Sequence, residues 1–156
     1  VNRIIPVLLI VLLVPLGYYL TSTERSIADS GQEGDAGMVP IESNGIVLKL
    51  DRTSYSPRDT MVLRVINKAN LNATTSYHFK LYRLENGEWK EVPVNLVFIE
   101  VAVVVEPGKS WEQRVKLSSL NLGPGHYKIV KKVSLTGPET GTATSVDVWA
   151  EFDVNG

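Results

Sequence analysis

The strongest constraint on the fold is an alternation of period two that runs through the chain from Ile41 onward. Successive side chains of a strand point to opposite faces, so this period sorts residues into two surfaces. The last stretch is the cleanest case. Val146, Val148, Ala150, Phe152 and Val154 share one face, and Asp147, Trp149, Glu151 and Asp153 share the other. Ile46, Leu48 and Leu50 oppose Lys49 and Asp51. Met61, Leu63 and Val65 oppose Arg64, and Tyr77, Phe79 and Leu81 alternate with His78, Lys80 and Tyr82. Trp111, Val115 and Leu117 oppose Glu112, Arg114 and Lys116, while Tyr127, Ile129, Val133 and Leu135 fall on one face.

Turn chemistry divides these stretches. Ser54 to Asp59, Asn86-Gly87, Glu106 to Lys109, Leu122 to Gly125 and Gly137-Pro138 each carry turn residues. Asn86-Gly87 is a strong hairpin signal because both residues tolerate positive φ. At most Ser118 to Asn121 makes a helical turn. The pattern predicts an all-β antiparallel sandwich of seven or eight strands. Tyr127, just after Pro124-Gly125, is placed to bond its hydroxyl back to the preceding corner, as in immunoglobulin-like sandwiches.

Asn95 to Val105 reads NLVFIEVAVVV and departs from the alternation. A strand this apolar is either covered on both faces or offers surface to a partner.

The N-terminal part follows other rules. Ile4 to Leu20 carries no charge, and its about 17 residues reach the lower limit for crossing a bilayer. Pro15 should kink such a helix. Arg3 precedes the segment and Glu24, Arg25 and Asp29 follow it, so the downstream chain is expected outside the membrane. A cleaved signal peptide ending at Ala28 is the alternative. The following stretch is rich in Gly, Ser, Asp and Glu, the composition of a tether. Three parts are therefore expected: a hydrophobic anchor or signal helix over 1–22, a linker over 23–40, and a sandwich over 41–156.

Several stretches resemble a family of prokaryotic immunoglobulin-like domains found in bacterial and archaeal surface and secreted proteins. They are Leu50 to Asp59, the strand ending at Asn67, and Leu81 to Glu85 followed by Gly87 to Pro93. Val105 to Ser110 and Leu122 to Lys131 complete the set. The resemblance spans about residues 46 to 154. It implies a β-sandwich with a binding or structural role, and it transfers no catalytic residue.

The chemistry agrees with a non-enzymatic reading. The chain of 156 residues has net charge −1, without the basic excess that nucleic-acid binding requires. It has no cysteine, hence no disulfide, thiolate metal site or cysteine nucleophile. His78 and His126 lie on different predicted strands, and acidic residues are scattered singly on outward positions. Asp51, Asp59 and Glu139 form no recognisable oxygen cage for calcium. No catalytic residue, cofactor or metal ligand is assigned. Asn72-Ala73-Thr74 is a candidate glycosylation sequon in a predicted loop.

The candidate interaction surface comprises the outward Trp89 and Trp149 with Val97, Ile99, Val101 and Val103 of the apolar stretch. The expected partners are the membrane, through the N-terminal segment, and a surface protein or glycan. Two alternatives stand beside this reading. Asn72 to Tyr77 is similar to one loop of chagasin-type protease inhibitors, although Ala73 and Ser76 replace a proline and a glycine. A filament subunit assembled by strand exchange at the Asn95 to Val105 edge is the other.

Overall fold

The computed structural model describes residues 42–137, 141 and 143–156. The predicted anchor, signal site and linker lie outside them. Among the described residues no helix is long and apolar enough to cross a membrane.

Two sheets carry the chain. The smaller has the order β1-β2-β4-β9, formed by β1 (Glu42–Ser43), β2 (Ile46–Leu50), β4 (Thr60–Asn67) and β9 (Ser110–Lys116). The larger is built on β10 (Gly125–Thr136) and β11 (Ala143–Val154), antiparallel from Gly125↔Val154 to Thr136↔Ala143. β3 (Ser54–Tyr55) lies parallel to β11 on its outer side. The other edge of β10 is shared. β5 (Asn72–Thr75) takes one end, backed by β8 (Val103–Val105). β6 (Lys80–Glu85) takes the other, backed by β7 (Glu88–Val92).

The expected alternation explains the core. Inward residues of both sheets form one buried cluster, including Leu48, Leu63, Val65, Leu81, Ile129, Val133 and Val148. Phe152 sits between two tyrosines, edge-on to Tyr55 at 5.8 Å and stacked on Tyr127 at 5.7 Å. Both hydroxyls find polar partners, as buried tyrosines require. Tyr55 donates to Asp51 Oδ1 at 2.7 Å, and Tyr127 donates to the Gly123 carbonyl at 2.7 Å, the predicted corner bond. Asn86 (φ 53°) and Gly87 (φ 83°) form the predicted hairpin between β6 and β7. A one-turn 3-10 helix, Leu117–Ser119, follows β9.

Three expectations need correction. The described residues form eleven strands, not seven or eight, because short pairings count separately and the strand expected from Tyr77 begins only at Lys80. Between β5 and β6 the chain leaves the ladder. The stretch expected as one strand over Asn95 to Val105 pairs only from Val103. Its preceding part packs by side chains instead. Val94, Leu96 and Phe98 dip against the core, and Phe98 meets His78 at 4.7 Å and Phe79 at 5.1 Å, beside the break between β5 and β6. Finally, Asn72 begins strand β5, opposite Thr136, rather than lying in a loop.

The break is stabilised from inside the sandwich. Gln113 of β9 donates through Nε2 to the Tyr77 carbonyl at 2.8 Å. Lys131 of β10 donates to the Ser76 carbonyl and, at 2.8 Å, to Gln113 Oε1. Lys131 is completely buried, with the Trp111 ring centroid 5.1 Å from its ammonium. Burial lowers its pKa from 10.5 to about 7. Asn67 ties the chain at the other end of β5 and β8, donating to Leu71 and Val105 carbonyls and accepting from the Ala69 amide.

Candidate functional site

The residues that β10 and β11 do not turn inward build the outer face of the larger sheet. β11 supplies Asp147, Trp149, Glu151 and Asp153. β10 supplies His126, Lys128, Val130 and Lys132, paired across the ladder with Asp153, Glu151, Trp149 and Asp147 respectively. β6 adds Lys80 and Tyr82, opposite Val130 and Lys128. β7 adds Glu91 and Trp89, opposite Tyr82 and Leu84. This register brings residues distant in sequence onto one surface four strands wide.

Lys128 stands at the centre. Its ammonium lies 4.4 Å from the Trp89 ring centroid, 5.3 Å from Tyr82 and 5.8 Å from Trp149. Each distance is within the range of cation–π attraction. Trp89 is flanked on another side by the His126 ring at 5.6 Å. The rings are half-buried, held by neighbours and accessible in part.

His126 is bracketed by two carboxylates. Its Nδ1 lies 2.7 Å from Asp153 Oδ1 and its Nε2 lies 2.7 Å from Glu151 Oε2. Burial pushes the imidazole pKa down, but the hydrogen bonds and charges of Asp153 and Glu151 outweigh it and hold the pKa above its usual value. At the other end of the face a recess of about 250 Å³ is lined by His78, Phe79, Lys80, Tyr82, Val130, Lys132 and Asp147. The surface thus offers aromatic rings between two ends of mixed charge, Lys80, Lys132 and Asp147 at one and His126, Glu151 and Asp153 at the other. Among the described residues no group of three or more His, Asp or Glu side chains is placed to hold a metal ion.

Of the predicted surface residues, Trp89 and Trp149 come together around Lys128. Val97 is fully exposed, with Ile99 at 67% and Val101 at 46%, on the separate apolar segment. Val103 is half-buried and packs on the core, and Val104, 59% exposed, takes the outward place. Asn72 is exposed. Sequence reasoning missed Lys128, Tyr82, His126, Glu151 and Asp153 as members of one surface. Their shared parity was visible, but the pairing that aligns the strands was not. It also missed Lys131 and Gln113, which occupy inward positions of their own strands. Parity with Ile129 and Val133, and with Trp111 and Val115, was the available signal.

Two antiparallel-rich sheets enclosing one core, with the tyrosine bond at the corner, define the class of the domain: the immunoglobulin-like sandwich. The chain belongs to the bacterial Ig-like domain family, whose model matches residues 42–153. No similar sequence was found among curated proteins.

Proposed function

We propose that this chain is a binding module displayed outside the cell membrane, held there by the apolar segment Ile4 to Leu20 and engaging its partner through the outer face of the larger sheet. One observation carries the binding role: Trp89, Tyr82 and Trp149, each half-buried, converge on Lys128 on the outer face of the larger sheet. Surface location accords with membership of a family common on cell surfaces, and with the charge pattern around the apolar segment.

Cell fractionation and intact mass test the location. The full-length mass is expected in the membrane fraction, with the sandwich digested by protease added to intact cells. A protected or cytoplasmic sandwich would overturn it. Binding is tested with isolated cell envelopes. The purified chain is expected to bind them, and Trp149→Ala to weaken binding about tenfold, as for a ring that anchors an interface.

The exposed apolar segment favours a second reading, self-association as in a filament. Val97, Ile99, Val101 and Val104 are exposed, and among the described residues β8 pairs only with β5, leaving its other edge open. Open apolar edges template strand pairing. Sedimentation should then reveal concentration-dependent oligomers of the full chain, abolished by a Val97→Lys, Ile99→Lys double variant. A monomer at every concentration sinks this reading.

A further inference from the structure

We propose that the ligand of the outer face is a neutral glycan, with sugar rings resting on Trp149, Tyr82 and Trp89 and hydroxyls bonded by the charged rim. The inference rests on the binding role above and names its chemistry.

The first argument is shape. The face lies on four neighbouring strands, and although the backbones of β11 and β7 stand three strand spacings apart, roughly 14 Å, Trp149 and Trp89 both reach the Lys128 ammonium and so lie within about 10 Å of each other. With Tyr82 they form one compact aromatic patch around Lys128. The C–H faces of pyranose rings suit such a patch of aromatic groups. The rings here are already held in place by Lys128 and, for Trp89, by His126. Little side-chain freedom is left to lose on binding.

The second argument is charge. Lys80 and Lys132 line the recess at one end, with Asp147 beside them. Glu151 and Asp153 lie at the other end around His126. Both ends therefore carry donors and carboxylates together, and a polymer of one charge sign would meet like charge as well as opposite charge along the face. A hydroxyl both donates and accepts, so it is served at either end. A protein partner would have to desolvate these lysines and carboxylates together, which is costly without matching counter-charges. Sugar hydroxyls can leave the rim wet and bond through water.

The test uses the full chain in a detergent without sugar headgroups, and three probes: the β-1,4-linked hexaoses of glucose, mannose and xylose. Tryptophan fluorescence and calorimetry are expected to give saturable binding to at least one, with a dissociation constant on the order of 0.1 mM. Trp149→Ala and Trp89→Ala should each weaken it about tenfold, Trp149→Phe less, and Val97→Lys not at all. Circular dichroism and thermal melting check that each variant is folded. Binding that survives both alanine variants overturns the inference, because the sugar then sits elsewhere. If none of the three hexaoses binds while envelope binding persists and depends on Trp149, the glycan assignment falls and the binding role stands. If envelope binding is also absent, both fall.

Discussion

Replacing Lys131 by methionine is expected to destabilise the sandwich by about 3 kcal/mol near pH 9 and to remove an alkaline rise in stability. The side chain is completely buried and its Nζ donates to the Ser76 carbonyl and Gln113 Oε1. Methionine fills similar space but leaves both acceptors without a donor, and each such loss costs about 1–3 kcal/mol.

The pH dependence follows from the shift. In the folded chain burial lowers the Lys131 pKa from 10.5 to about 7. Between those values the unfolded chain binds a proton that the folded chain does not. Stability therefore rises with pH across that window, by at most about 1.4 kcal/mol per pH unit from this group. Below about pH 7 both states are protonated and the slope vanishes. There the wild type also bears the cost of a buried charge, so its advantage over the variant narrows. Urea unfolding at several pH values measures both chains. Parallel curves for the two would show that Lys131 does not titrate in this window.

Phe152→Ala should have an effect at least as large, a loss of about 4 kcal/mol. Phe152 is fully buried and joins the rings of Tyr55 and Tyr127. Its removal leaves a cavity that these neighbours fill only in part, because each hydroxyl is fixed. Tyr55 is held by Asp51, and Tyr127 by the Gly123 carbonyl. Phe152→Leu keeps most of the volume and should cost clearly less. Equal losses for the two variants in denaturant midpoint would refute the cavity account.

Much of this was open to reading one strand at a time. The inward set Val146, Val148, Phe152 and Val154 is buried as the alternation required. The Asn86-Gly87 turn forms where two residues tolerant of positive φ stand together. The Tyr127 corner bond is local, spanning four residues. Such features depend on residues near one another in the chain, so composition and spacing suffice to find them.

Apolar content alone misled at Asn95 to Val105. Hydrophobicity calls for burial and does not say whether a ladder or side-chain packing will provide it. Here Phe98 inserts beside Phe79 and only Val103–Val105 pairs. The same limit hid the role of Lys131. Its parity placed it inside, but the carbonyl it satisfies exists only because the chain breaks between β5 and β6.

The sequence by itself determined the all-β class, the inner and outer faces of most strands and the main turns, since period and turn chemistry act over a few residues. Tertiary structure alone decided which outward residues meet. Trp89, Tyr82, Lys128 and Trp149 lie on four different strands, and only register aligns them. Register is set by long-range pairing and by packing of the opposite face, so no single strand contains it.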